Sequence, residues 1–105
     1  MKIEIDFSEI TELESMHILL KEKLGFPDFY GKNLNALIDC LSSVRYPNDE
    51  MMNVSVDKDN MLSLVIKSFP LEDNILLNHF FTAIQSVNKR YVTRNESPPI
   101  GLIIT

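Results

Sequence analysis

Cysteine occurs once among the 105 residues, at Cys40, and tryptophan is missing altogether. A lone thiol cannot form an internal disulfide, so a disulfide scaffold is excluded and a reducing, cytoplasmic setting is expected. No apolar run approaches the roughly 18 residues that a membrane span requires. Glu4 and Asp6 interrupt the first apolar stretch, unlike the basic start and unbroken apolar core of a secretory signal. A Gly-rich phosphate loop, a cluster of metal ligands and a nucleophile–base pair are all lacking, so neither an enzyme nor a cofactor or metal is expected. Basic residues are also few, with 10 Lys and Arg against 15 Asp and Glu, for a net charge of -5. Direct nucleic-acid binding depends on cations neutralising phosphates, and this balance argues against it.

The acidity is concentrated at one end. Met1 to Asp28 holds three Lys against seven Asp or Glu, which sums to -4, whereas Met51 to Thr105 has five of each sign and sums to zero. Such asymmetry suits a basic partner, whose encounter it would speed. It equally serves solubility. With 45% hydrophobic and 24% charged residues, the chain has the composition of one globular domain, residues 1–105, able to bury a core without staples.

Lys2 to Phe7 alternates apolar and polar residues, the pattern of a strand with one buried face. Thr11 and Glu14 form a T-x-x-E capping box. The helix behind it aligns Leu13, Met16, Leu20 and Leu24, with Gly25 as a left-handed cap and Pro27 as a stop. A second helix is expected from about Asn33 to Ser43, with Leu34, Leu37 and Leu41 on its buried edge. Met51 to Val56 and Met61 to Phe69 read as a hairpin around Asp57–Asn60, although the first run also fits an extended loop. Leu71 to about Val87 reads as a helix with Ile75, Leu76, His79, Phe80, Ala83, Ile84 and Val87 on one side. Ile100 to Thr105 has the continuous apolarity of a central strand. The predicted fold is an α/β sandwich of two or three layers, with a small, mainly parallel sheet of three strands and a fourth, antiparallel edge strand as an option. The first and last strands are expected as parallel neighbours in its middle.

Residues 24–41, Leu-Gly-Phe-Pro-Asp-Phe-Tyr-Gly-Lys-Asn-Leu-Asn-Ala-Leu-Ile-Asp-Cys-Leu, resemble the signature of the barstar family. In that signature a proline–aromatic–Tyr–Gly loop leads into Asn-Leu-x-Ala-Leu and Asp-Cys-Leu. The resemblance covers about 18 consecutive positions and becomes one of architecture alone from Arg45 onward. It implies a one-to-one inhibitor, monomeric when free, of a basic secreted ribonuclease or toxin nuclease domain. It places the contact on this loop and second helix, with Asp39 entering the phosphate site. The contact set so implied is Asp39, Asn35, Phe29, Tyr30, Gly31, Asn33, Ile38 and Ser42. Three departures accompany it. Asn35 stands where barstar itself has an Asp, Ile38 replaces a tryptophan, and the helix from Leu76 to Val87 contains no acidic residue. They leave open a related nuclease as target, or a barstar-fold interaction module that no longer inhibits.

The residues themselves point the same way. On a helical wheel Asn35, Asp39 and Ser42 lie away from the leucine stripe. An outward carboxylate in mid-helix gains nothing from helix propensity or the dipole. A ribonuclease gathers cations around phosphate, and a rigidly held carboxylate can accept their hydrogen bonds instead. Phe29 and Tyr30 are rigid aromatic anchors, and Gly31 admits close backbone approach. Each has a plainer reading: a solvated carboxylate for Asp39, loop shaping for Tyr30 and Gly31. Cys40, His17 and His79 read as packing residues, and Lys89–Arg90 as a solvated helix end.

Overall fold

Alternation in the first strand and two long apolar runs later in the chain produce a three-stranded parallel sheet. The computed structural model describes residues 1–105. Its elements are β1 (Lys2–Asp6), α1 (Leu13–Leu24), α2 (Leu34–Ser42), β2 (Leu62–Lys67), α3 (Asn74–Thr93) and β3 (Ile100–Ile104). The strand order is β1-β2-β3, with Ile5 opposite Ile66 and Leu64 opposite Leu102. Ile5, Leu62, Leu64, Ile66 and Ile100 are buried beneath the helices, while Lys2, Glu4, Ser63 and Lys67 occupy the opposite, polar face. The result is a layer of helices on one sheet face. No helix is long and apolar enough to cross a membrane.

Four expectations need correction. β2, not β1 or β3, is the central strand. Its alternating residues bury one face completely, and that outweighs the longer apolar run of β3, whose Ile103 and Ile104 stay 40% and 42% exposed at the edge. The hairpin does not form, and neither does a fourth strand. Residues 51–56 run as an irregular segment whose Asn53 N–H bonds Leu24 O at 3.0 Å and whose Val56 N–H bonds Val44 O at 2.9 Å. Those amides satisfy the ends of α1 and α2 and are unavailable to a ladder. α1 is capped by Glu12, not Thr11, with the Ser15 hydroxyl bonding the Glu12 backbone. α3 starts later and ends later than expected. Asp73 accepts from the N–H groups of Ile75 and Leu76, leaving Ile75 69% exposed, and the buried stripe continues through Tyr91.

Gly25 takes the left-handed conformation foreseen for it, φ 70°. A Cβ there would lie 2.4 Å from Asn53 Cγ, so the close approach of residues 51–56 also depends on glycine.

A buried polar chain ties α1 to α3. His17 Nδ1 lies 2.5 Å from the Tyr30 hydroxyl, and His17 Nε2 lies 2.9 Å from His79 Nε2. Tyr30 has no other side-chain acceptor, so its O–H donates to Nδ1. His17 then carries its proton on Nε2 and donates to His79. A proton on His79 Nε2 would set donor against donor, and a second proton on His17 would leave the Tyr30 hydroxyl proton without an acceptor, so the chain is matched with both rings neutral. Burial, together with the charge that would sit on His79 and Lys32, holds the His17 pKa down at about 4; burial also lowers that of His79.

Gly25→Ala should destabilise the fold by ~2 kcal/mol or more in denaturant melts, since strain and clash coincide. Because the unfolded chain binds the His17 proton more readily than the native one, stability should be full above pH 6.5. It should fall by up to ~3 kcal/mol as pH drops toward 4. His17→Gln, which keeps hydrogen bonding without titrating there, should flatten that profile.

Candidate partner-binding surface

α2 begins where Asn33 Oδ1 accepts the Ala36 N–H at 2.8 Å. Leu37, Ile38, Cys40 and Leu41 are buried along its length, packed with the stripe of α3. The Tyr91 hydroxyl donates to Ser42 O at 2.5 Å and fixes the far end. With one side so committed, Asn35 and Asp39, a single turn apart, face outward.

Asp39 meets the sequence expectation, because its side chain is 62% exposed. It is not unaccompanied. Arg90 of α3 donates through Nη1 to Asp39 Oδ1 at 3.1 Å and to Ser42 Oγ at 3.1 Å. The shallow depression beside this pair, about 550 Å³, is bordered by Ser43, Tyr46, Asp49 and Arg94. Asp39 therefore opens toward the α3 end of the surface. The loop at Phe29–Gly31 adjoins the other end of α2, about 9 Å along the axis from Asp39 at 1.5 Å per residue.

That loop divides its aromatics by direction. The Tyr30 N–H bonds Pro27 O at 3.0 Å and closes a turn. Phe26 and Tyr30 turn inward with ring centroids 4.8 Å apart, while Phe29 is 77% exposed. Burial raises the Tyr30 pKa, so its hydroxyl stays protonated and linked to His17. The left-handed step falls on Lys32, φ 51°, not on Gly31. Gly31 matters through space instead: a Cβ would sit 3.2 Å from Asn33 Nδ2, against the side chain that caps α2.

Of the expected contacts, Phe29, Gly31, Asn33, Asn35 and Asp39 lie exposed and Ser42 is half-buried. Tyr30 and Ile38, in contrast, are only 6% and 8% exposed and belong to the core. Tyr30 is drawn in by His17, and Ile38 lies on the side of α2 that meets α3. Arg90 was missed. The four-residue spacing of Ala83, Val87 and Tyr91 was the available signal, because it carries α3 past the expected stop and turns Arg90 toward α2. Cys40 is buried, and desolvation, with a smaller contribution from Asp39, pushes its thiol up to about 11. Such a thiol is unreactive at neutral pH. No group of three or more His, Cys, Asp or Glu side chains could hold a metal.

The surface thus offers one carboxylate on a fixed helix, a neighbouring amide, an exposed aromatic ring and a framing cation. That is equipment for docking against charged groups. The family model described as "Barstar (barnase inhibitor)" matches residues 1–92. A relative from Bacillus subtilis (strain 168), named "Putative ribonuclease inhibitor YrdF", is 39% identical over 75 residues, 71% of this chain and 68% of that protein. Such extensive agreement, together with the parallel α/β architecture, shows that this chain belongs to the barstar family.

Proposed function

We propose that the protein inhibits a basic secreted ribonuclease, barnase-like or related, by covering its active site with the Phe29–Gly31 loop and the outward face of α2. Membership of a family of barnase inhibitors supports the ribonuclease-binding role. The observation that carries the mechanism is the Asp39 carboxylate, 62% exposed on a helix that the core holds still.

An RNA-cleaving site concentrates cations to stabilise negative charge on phosphate. Asp39 presents two carboxylate oxygens to those cations, and exclusion of water on docking strengthens the charged hydrogen bonds. Rigidity counts because no loop ordering has to be offset on binding. Phe29 supplies apolar area at low entropic cost, and the Asn35 amide can bond backbone or side chains on the cleft lip. Asn33 places the α2 N-terminus beside them. The acidic N-terminal third raises the encounter rate with a basic enzyme. The protein acts as a monomer in a one-to-one complex within the cytoplasm, and needs no cofactor for the task.

Titration of the purified protein against barnase and a set of related secreted ribonucleases, read as RNA cleavage, tests the proposal. At least one enzyme should lose all activity near a one-to-one ratio. Asp39→Ala should then weaken binding about a hundredfold or more, because the enzyme's cations are left desolvated and unpaired. Unchanged inhibition by Asp39→Ala would show the site to be misassigned. Absence of inhibition across the set would favour an interaction module that keeps the fold without the inhibitory role.

A further inference from the structure

The Asp39 carboxylate faces a cation of its own chain, and this bears on which enzymes it can bind. We infer that Arg90 is a second recognition residue. Asp39 and Arg90 form a paired anion–cation element, and the target ribonuclease carries a carboxylate on the lip of its cationic cleft that receives the Arg90 guanidinium. The inference rests on the proposed function and specifies the chemistry of the partner.

Three observations carry it. First, Arg90 spends only one of its nitrogens on the chain: Nη1 reaches both Asp39 Oδ1 and Ser42 Oγ, each at 3.1 Å, while Nε and Nη2 make no hydrogen bond to protein. A guanidinium has five N–H donors in a planar fork, so most of its capacity faces outward. Second, the pair is exposed, with side-chain accessibilities of 50% for Arg90 and 62% for Asp39. An exposed ion pair contributes little, so Asp39 can exchange Arg90 for an enzyme cation at small cost. Third, the end of α3 is positively charged. Lys89 has no ion-pair partner, and Arg94 is held by Glu96 at 3.3 Å with its guanidinium 4.7 Å from the Tyr91 ring centroid.

These conditions settle what the partner must supply. When the interface closes, Asp39 turns to the enzyme's cations and Arg90 loses water beside those same cations. An unpaired guanidinium there is strongly unfavourable, and like charges across an interface reject the complex. A carboxylate on the enzyme removes both penalties and fits the fork bidentately. Such a group is chemically ordinary at this place, since RNA cleavage uses general acid–base side chains, carboxylates among them, next to the phosphate cations. An enzyme whose rim is uniformly basic would be a poor target.

The test uses the ribonuclease that the wild-type protein inhibits in the titration above, together with variants in which each Asp or Glu around its active site is changed singly to the amide. Dissociation constants are measured by calorimetry for wild type, Arg90→Gln and Arg90→Lys, with thermal melts to verify folding. Arg90→Gln should weaken binding about tenfold or more. Against one of the enzyme's amide variants it should cause little further loss, and Arg90→Lys should recover part of the affinity. Binding by Arg90→Gln that equals or exceeds wild type would overturn the inference, and Arg90 would then merely mask Asp39. So would losses that add independently for every enzyme carboxylate. If Asp39→Ala binds like wild type, or no ribonuclease is inhibited, the fault lies in the underlying site, and the inference falls with it.

Discussion

Nine residues make a helix with little stability of its own in water, and α2 exists because α3 lies beside it. Leu37, Ile38, Cys40 and Leu41 go almost fully out of solvent in the core that the two helices share. Burial at this scale contributes about 1.5–3 kcal/mol for each large aliphatic side chain, far more than propensity can. The hydroxyl of Tyr91 closes the C-terminal end on Ser42 O, and the Asn33 side chain closes the N-terminal end. Once those ends and that buried side are fixed, helical periodicity leaves Asn35 and Asp39 no orientation but outward. The candidate site is therefore a by-product of how the core is filled.

The loop preceding α2 follows the same logic with polar groups. Tyr30 is pulled inward by His17, and His17 is held by His79 from another helix, so three separate stretches of chain agree on one loop position. Phe29, between the inward Phe26 and Tyr30, is left in solvent. The arrangement requires two neutral imidazoles, which makes the loop's support sensitive to acid. A burial-raised thiol at Cys40 completes a support layer that is chemically quiet, and charge chemistry is confined to the outer surface.

Local signals carried well from sequence to structure. The Lys2–Phe7 alternation, the Gly25 stop, the start of α2 near Asn33 and the exposure of Asp39 were all legible, because each depends on neighbours within a turn or two. Long-range competition was not. Met51–Val56 has strand-like residues, yet its amides go to the open ends of α1 and α2. The apolar tail at 100–104 looks central, yet β2 wins that place by burying one face completely. The resemblance gives Ile38 and Tyr30 as contacts, and their burial in the core depends on the direction of α3 and the position of His17. Arg90 needed the same tertiary fact. Its pairing with Asp39 bridges 51 positions of sequence, beyond any motif's reach.

The charge pattern now has two scales. The chain carries a net charge of -5, whereas the Asp39–Arg90 pair is locally neutral. Under the proposed function, approach to a basic enzyme and fit at its cleft would be governed by different residues. The most direct test of the account is a nitrogen-15 NMR titration of the labelled protein with a ribonuclease that it inhibits. The largest shift changes should fall at Phe29–Gly31, Asn35 and Asp39, with the outer sheet residues Lys2, Glu4 and Lys67 unmoved. Changes centred on that outer sheet face, with the α2 signals unaltered, would contradict it.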